Sequence, residues 1–201
     1  WHQAREDGQT KPESAYLPDM AALQQAAKHV DADQFVLDET DQTVYFTDPA
    51  LQLDVGAIAK GYAVERVAEQ LEAEGIHGVL LSIGGNVRAV GMRPDGTAFP
   101  VGVQNPDLGA KKQHIAVLNL NNASLVTSGS YQRYFTDNRN NSYHHIINPS
   151  SGHPVTNSLQ SVTIICEDGT LADCLSTAMF VCGETKAINY WRTHGGFEMI
   201  L

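Results

Sequence analysis

A carboxylate and a cation lie six residues apart in segment 53–64, with a glycine turn between them. The apolar residues before Asp54 predict a short strand, and the residues after Gly56 predict a helix that carries Lys60 in its first turns. Such a junction places backbone N–H groups, a helix dipole and an ammonium together, where a phosphate can bind. The carboxylate of Asp54 could orient that ligand or help to hold a metal. Many strand-to-helix junctions contain Gly and Lys, so this segment is a weak signal by itself.

A second pair of candidate residues lies nearer the carboxyl end of the chain. Asp173 and Thr177 are four residues apart in a predicted helix, so the carboxylate and the hydroxyl would share one face. These oxygens, completed by waters or phosphates, suit a hard cation such as Mg²⁺. The alternative is that Asp173 only stabilises the start of the helix, while Thr177 bonds to its own backbone. The residue types alone favour this alternative.

Two glycine-containing motifs could contact a ligand through the backbone. Thr127 and Ser128 precede Gly129 at the end of a predicted strand, where hydroxyls and N–H groups can bind phosphate oxygens. Gly84 and Gly85 interrupt an apolar run and would let a ligand approach the backbone closely. The alternative is that the paired glycines form only a bulge or a tight turn.

The histidines and cysteines give no metal-binding signature. His144 and His145 are adjacent, so on a strand they would point to opposite faces and could not easily bind one ion. One of them could serve as a general base. The three cysteines, Cys166, Cys174 and Cys182, form no C-x-x-C pair and are expected to be small buried hydrophobic residues.

The elements that would position these residues predict an α+β fold. Helical patterns cover residues 18–30, 57–74, 171–182 and 184–193. Strand patterns cover residues 35–37, 44–46, 79–83, 87–92, 99–103, 114–120, 124–126, 143–147, 161–166 and 197–201. Residues 79–83 form a near-continuous apolar run, which is typical of a buried strand. Residues 1–16 are polar and are expected to be irregular.

The composition limits the possible functions. A chain of 201 residues that is 42% hydrophobic can bury a core, and nothing in it indicates a linker between domains. The net charge of −10 disfavours nucleic-acid binding, but a local site could still accept a small phosphate ligand. No apolar run reaches the roughly 18 residues of a membrane helix. The sequence starts at Trp1 without Met, which suggests a trimmed chain, so a missing leader excludes no compartment.

The order of the motifs resembles that of one protein family. The chain contains, in sequence, D-V-G-A-I-A-K-G-Y, L-S-I-G-G-N, T-S-G-S-Y-Q-R-Y-F, H-I-I-N-P-S-S-G-H-P-V and L-A-D-C-L-S-T-A. This series resembles the ApbE family of FAD:protein FMN transferases, once described as thiamine-biosynthesis lipoproteins. The resemblance covers nearly the whole chain. It implies a single domain with the ApbE-like, T-fold-like arrangement of mixed sheets and packed helices. It also implies that the family's N-terminal segment, and the extreme C-terminus, are missing from this sequence.

The resemblance implies roles for particular residues. It assigns the metal to the backbone carbonyl of Ala57, to Asp173 and to Thr177, with Ser176 beside them. It assigns His145 a catalytic role. Flavin binding is assigned to the residues that match FAD-contact positions or the motifs beside them, namely Asp54, Lys60, Gly84, Gly85, Thr127, Ser128, Gly129 and Ile147. Asn148 and Ser130 stand where the family commonly has acidic residues, which puts affinity and rate in doubt rather than the fold.

The implied activity is Mg²⁺-dependent transfer of FMN from FAD to a Thr or Ser hydroxyl of an acceptor protein, with release of AMP. The alternatives are an FAD pyrophosphatase or FAD-binding protein without flavinylation activity, and a domain that keeps only the fold. The implied partners are FAD and the acceptor protein, with no nucleic acid, and the implied location is extracytoplasmic, through a possible lipid anchor. Two further expectations are weak FAD binding by residues 1–201 and an intact fold in Asp173→Ala.

Overall fold

The computed structural model describes residues 1–12, 15–131, 133–137 and 139–201. The helices are α1 (His2–Thr10), α2 (Met20–Ala27), α3 (Ala59–Ala73), α4 (Gly169–Cys182) and α5 (Glu184–His194). The strands are β1 (Phe35–Asp38), β2 (Thr43–Phe46), β3 (Val79–Ile83), β4 (Asn86–Val90), β5 (Phe99–Gln104), β6 (His114–Leu120), β7 (Ser124–Gly129), β8 (Tyr134–Thr136), β9 (Ser142–His144), β10 (Ile147–Asn148), β11 (His153–Pro154), β12 (Ser161–Cys166) and β13 (Glu198–Ile200).

The chain divides into two compact units. The first contains Trp1–Asp54 and Arg133–Thr156, and the second contains Val55–Gln132 and Asn157–Leu201. The expectation of a single domain stays a prediction. Within the described part of the chain, no helix is both long enough and apolar enough to cross a bilayer.

A five-stranded antiparallel sheet forms the framework of the second unit. Its strand order is β13-β12-β7-β4-β3. Side chains alternate between its faces, so Arg88 reaches α3 while its neighbours Val87 and Ala89 point away from the helices. On that opposite face the β5–β6 ribbon closes a core around Val103 and Leu125. Helices α3 and α4 therefore lie on one face of the sheet and the ribbon lies on the other.

Two glycines allow α3 and α4 to cross closely. A Cβ atom on Gly61 would lie 2.2 Å from the carbonyl oxygen of Gly169 and 2.6 Å from Cβ of Asp173. A Cβ atom on Gly169 would lie 2.9 Å from Oγ of Ser124 in β7. A side chain at Gly61 would collide with the backbone of α4, and one at Gly169 would press on side chains of β7 and α3. The crossing brings the start of α3 against the first turns of α4.

Local signals in the sequence fix the ends of α4. The Asp168 side chain accepts hydrogen bonds from the backbone N–H groups of Thr170 and Leu171, which would otherwise lack partners at the helix start. Gly183 ends the helix with a φ of 77°, a conformation that glycine adopts without strain.

The first unit is built around a small aromatic cluster. The rings of Trp1, Phe135 and Tyr143 lie with centroids 5.6–6.2 Å apart. Phe135 and Tyr143 face each other across the β8–β9 hairpin, and Gly8 of α1 lies against the ring of Phe135. The aromatic rings thus provide the contacts that a unit with short strands needs in order to bury a core.

The structure corrects several predictions. Residues 1–16 are not all irregular, because His2–Thr10 forms a helix. No strand leads into Asp54. Val79–Ile83 is a half-exposed edge strand rather than a buried one. The predicted strand 143–147 is two short strands with a break at residues 145–146. Among the cysteines only Cys166 is buried, while Cys174 is partly exposed and Cys182 is exposed.

Candidate functional site

A buried carboxylate joins the start of α3 to α4 in the second unit. Asp173 is only 2% exposed, and its Oδ1 and Oδ2 lie 3.1 and 3.2 Å from Nζ of Lys60. The backbone N–H of Gly61 donates to Oδ2 at 2.9 Å. Nζ of Lys60 also donates to the carbonyl oxygen of Gly56 at 3.1 Å. The predicted cation of segment 53–64 and the predicted carboxylate of segment 172–177 therefore belong to one site.

Hydroxyl groups of β7 and α4 form a second cluster. Its members in α4, Ser176 and Thr177, follow Asp173 by three and four residues. Oγ of Ser128 lies 2.8 Å from Oγ of Ser176 and 2.9 Å from Oγ1 of Thr177. Ser176 also donates to the backbone carbonyl of Asp173 at 2.9 Å. The helix therefore presents both proposed metal-binding hydroxyls to β7. The Ser176 hydroxyl is fully buried and already has two partners, which makes Thr177 the better-placed ligand of the two.

Strand alternation separates Thr127 from this cluster. Ser128 points towards α4, so its neighbour Thr127 points to the other face of the sheet. There Oγ1 of Thr127 bonds to Oγ1 of Thr163 in β12 at 2.8 Å. Gly129 ends the strand, and a Cβ there would lie 2.6 Å from the ring of Tyr131. Gln132, within the same predicted motif, lies outside the described residues.

The paired glycines form the turn of the β3–β4 hairpin. Gly84 and Gly85 have φ values of 56° and 92°, which explains the choice of glycine at both positions. A Cβ at Gly84 would lie 3.2 Å from Cδ of Lys60. The turn therefore borders the aliphatic part of the Lys60 side chain. The two glycines and Lys60 are all predicted flavin contacts.

The remaining predicted residues of segment 53–64 are exposed. Ala57 lies in the turn before α3, next to Gly56, whose carbonyl accepts from Lys60. Asp54 belongs to the first unit. The metal role of the Ala57 carbonyl and the flavin role of Asp54 stay predictions.

The two adjacent histidines of the first unit have different surroundings. His144 donates from Nε2 to the carbonyl of Val155 at 2.9 Å, and its Nδ1 accepts from the N–H of Ile146 at 3.2 Å. His145 donates from Nδ1 to the carbonyl of Arg133 at 3.2 Å, because a carbonyl can only accept. This bond leaves Nε2 of neutral His145 as a proton acceptor. Burial lowers the pKa of both imidazoles.

The segment that follows His145 is a turn. Ile147 pairs with Pro154, and Asn148 pairs with His153. Oδ1 of Asn148 accepts from the N–H of Ser150 at 2.9 Å. An aspartate, the acidic residue that the family commonly has here, could accept the same hydrogen bond. The turn can therefore form with either residue at position 148.

The oxygen donors of the second unit suit a hard cation. Three oxygens, all from Asp173 and Gly56, already surround a positive charge, that of Lys60. Carboxylate, carbonyl and hydroxyl oxygens are the ligands that Mg²⁺ takes in proteins. Within the described ranges no three His, Cys, Asp or Glu side chains cluster as a metal site. A cation would therefore depend on one carboxylate together with neutral oxygens, waters or phosphates.

Sequence reasoning missed a second buried ion pair that holds the site together. Nε of Arg88 in β4 lies 3.2 Å from Oε2 of Glu65 in α3, and the same oxygen accepts from the N–H of Gly169 at 2.6 Å. This pair fixes α3 to the first turn of α4, one helical turn from Gly61 and Asp173. The acidic residue four positions after Gly61 was the available signal.

Sequence reasoning assigned no role to Asn86, the last residue of the L-S-I-G-G-N motif, which directly follows the glycine turn. Its side chain is 2% exposed, and its Nδ2 has no hydrogen-bond partner among the described residues. A buried amide without a partner is uncommon in a folded chain. Asn86 is therefore a further polar group beside the turn that borders Lys60.

An open groove of about 940 Å³ lies near the start of β7 and the end of β12, at the end of these strands away from Ser128. It is lined by residues that include Asn121, Cys166, Asp168, Trp191 and Phe197. None of the predicted site residues lines it. We therefore place the candidate site at the ion pair and hydroxyl cluster rather than at this groove.

Comparison with known proteins gives one consistent result. The model of the ApbE family matches residues 1–201. The chain is 36% identical over 170 residues to the FAD:protein FMN transferase of Klebsiella pneumoniae (strain 342), covering 85% of this chain and 51% of the relative. It is 33% identical over 178 residues to the enzyme of that name from Haemophilus influenzae, covering 89% and 51%. The chain thus spans about half the length of these relatives.

Solved structures agree with this match. The ApbE protein of Thermotoga maritima superposes with a TM-score of 0.83 at 31% identity, covering 98% of this chain and 64% of that one. The apo flavinyl transferase ApbE of Pseudomonas stutzeri gives a TM-score of 0.76 at 30% identity, covering 92% and 55%. The predicted α+β class and the predicted family are confirmed.

Proposed function

Because the chain belongs to the ApbE family, we propose that it is the part of a flavin transferase that holds the diphosphate of FAD and transfers FMN to a protein hydroxyl. The observation that carries this proposal is the buried Asp173 carboxylate, which faces an ammonium and lies on the helix that presents Thr177. The two relatives described above, which are 33–36% identical to this chain, are named FAD:protein FMN transferases.

The proposed reaction is a phosphoryl transfer. The hydroxyl oxygen of a Thr or Ser on the acceptor protein forms a bond to the phosphorus on the FMN side of FAD. The bond from that phosphorus to the bridging oxygen breaks, and AMP leaves with the bridging oxygen. The hydroxyl proton passes to a base, and the flavin remains attached as a phosphoester. Positioning and charge neutralisation supply most of the catalysis in such reactions.

The residues of this chain take distinct roles in the proposal. Asp173, Thr177 and the carbonyl of Ala57 would hold Mg²⁺, which supplies charge neutralisation at the phosphates when bound. Lys60 binds a phosphate oxygen. His145 accepts the hydroxyl proton at Nε2, since its Nδ1–H is held by the carbonyl of Arg133. Asp54 and Ile147 are proposed to contact the flavin, and a lipid anchor outside the cytoplasm is proposed from family resemblance alone.

Release of AMP is the most direct test. The chain is incubated with FAD and MgCl₂, with and without peptides that carry Thr or Ser, and AMP, FMN and flavin-bound peptide are separated by chromatography. Flavin-bound peptide together with equal AMP supports transfer. FMN and AMP without labelled peptide would indicate a pyrophosphatase. No AMP under any condition would contradict the proposal for this chain.

Two variants assign the roles within that assay. Asp173→Asn should remove the dependence on Mg²⁺ together with most AMP release. His145→Ala should lower turnover and spare FAD binding, and its loss of rate should be largest above the lowered pKa of His145, where the imidazole is neutral. Wild-type turnover in His145→Ala at neutral pH would place the base elsewhere.

A further inference from the structure

The ammonium of Lys60 occupies an oxygen cage. Its three N–H groups have three oxygen acceptors, which are Oδ1 and Oδ2 of Asp173 and the carbonyl of Gly56, at 3.1–3.2 Å. One acceptor comes from the turn before α3 and two come from α4. An ammonium has three donors and no acceptor, so this arrangement satisfies it completely.

This cage has the chemistry of a site for a divalent cation. All three acceptor atoms are oxygens, and the Asp173 carboxylate supplies a negative charge. Hard cations such as Mg²⁺ prefer ligands of this kind. The carboxylate is the one assigned to the metal above, and Gly56 precedes Ala57, whose carbonyl is also assigned to it. Two cations at the same carboxylate would repel each other, and because the Asp173 side chain is only 2% exposed, water screens that repulsion little where both would contact it. The ammonium and a divalent cation therefore exclude each other.

We propose that Lys60 is the resident counter-ion of Asp173, and that a divalent cation binds by displacing the ammonium, which then binds the diphosphate of the substrate. This inference rests on the proposed function. No covalent bond changes in this exchange, and the charge of Asp173 stays compensated before and after it. The site is thereby kept stable without a metal.

The two partners differ in their freedom to move. The Asp173 side chain is 2% exposed and is fixed by the N–H of Gly61 at 2.9 Å. The Lys60 side chain is 33% exposed, and the stem of a lysine has several rotatable bonds. The glycine at position 84 leaves space beside that stem. The carboxylate therefore stays in place while the ammonium can leave it.

The exchange couples the binding of the two ligands. A cation that binds alone must expel Lys60 into solvent, whereas a diphosphate that binds at the same time gives the ammonium a new partner. Each ligand should therefore tighten the binding of the other, and the factor must be the same in both directions. A buried carboxylate left without any cation is costly, so the ammonium does not leave before the metal arrives.

The test measures MgCl₂ binding by calorimetry without flavin. Lys60→Met removes the competing ammonium and should tighten Mg²⁺ binding at least tenfold relative to wild type. Lys60→Gln, which keeps a polar side chain, is measured in parallel in case Lys60→Met folds poorly. Lys186→Met removes an exposed lysine of α5 in the same unit and should bind Mg²⁺ as the wild type does. Asp173→Asn should lose binding.

Equal or weaker Mg²⁺ binding in both Lys60 variants would overturn the exchange, and so would an absence of binding in all variants. The AMP assay on the wild-type chain is independent of this comparison. Tighter Mg²⁺ binding in the variants without AMP release from wild type would support the exchange and contradict the proposed transferase activity. AMP release from the wild-type chain, together with unchanged Mg²⁺ affinity in the Lys60 variants, would support the transferase activity and contradict the exchange.

Discussion

Replacing Asp173 by alanine should destabilise the second unit as well as remove a ligand. The sequence alone predicts an intact fold for this variant, on the reasoning that a metal-binding carboxylate would face a cleft. In the structure the side chain is 2% exposed, pairs with Lys60 and accepts from the N–H of Gly61. Alanine would leave a helix N–H buried without a partner and an ammonium without its counter-ion.

The expected loss can be worked out from the geometry. Two unit charges 3.1 Å apart attract by about 5 kcal/mol at an effective dielectric constant of about 20, and desolvation of both groups offsets much of this. Removing one partner of a buried pair costs about 3–5 kcal/mol. Lys60 is one-third exposed and can turn to water, so the lower end applies. A loss of about 3 kcal/mol lowers the unfolding midpoint by about 6–12 °C in a chain of this size.

Tryptophan fluorescence can report on the second unit alone. The chain has two tryptophans, and they lie in different units, Trp1 in the first and Trp191 in the second. In a Trp1→Phe background, urea and thermal unfolding followed by fluorescence therefore measure the unit that contains Asp173. Asp173→Asn is the matched variant, since its amide oxygen still accepts from Gly61, and it should lose clearly less stability than Asp173→Ala.

A double-mutant cycle with Lys60→Met isolates the ion pair. The two single variants should each destabilise the unit, and the double variant Lys60→Met/Asp173→Asn should be more stable than the sum of their effects predicts. A change of less than 2 °C in Asp173→Ala, or strict additivity in the cycle, would refute the buried pair as a stabilising element.

Three further outcomes are expected. Gly61→Ala should destabilise the second unit by about 1–3 kcal/mol in urea unfolding, because its Cβ would meet the backbone of α4; unchanged stability would contradict the close helix crossing. Burial lowers the pKa of His144 and His145, so the unfolded chain takes up protons that the folded chain does not, and the unfolding midpoint should fall as pH drops below about 6.5. In the double variant His144→Gln/His145→Gln the unfolding midpoint should depend less on pH. An equal pH dependence in the wild type and the double variant would contradict this assignment to the two histidines. Iodoacetamide at pH 7.5 should label exposed Cys182 before Cys166, whose burial raises the thiol pKa to about 11. Mass spectrometry of the peptides measures the order of labelling, and faster labelling of Cys166 would contradict this prediction.

The sequence determined the elements that are governed by local chemistry. A bulge or a tight turn was one interpretation of the glycines at 84 and 85, and both adopt positive φ values in the β3–β4 turn. The apolar periodicity predicted α3 and α4 to within two residues at each end, because a helix buries one face at a fixed period. The order of the motifs predicted the family, which the family match confirms. Local pattern failed for His2–Thr10, where contact with the ring of Phe135 accompanies a polar helix.

Only the tertiary structure decided which of these residues meet. Lys60 and Asp173 are 113 positions apart, and no period or spacing relates them. Their contact exists because Gly61 and Gly169 let two helices approach on one face of a sheet. The same sheet turns Ser128 towards Thr177 and Thr127 away from it. Side-chain alternation is local, but which face is covered by helices is a property of the packed sheet, and that packing determines which of the predicted hydroxyls joins the site.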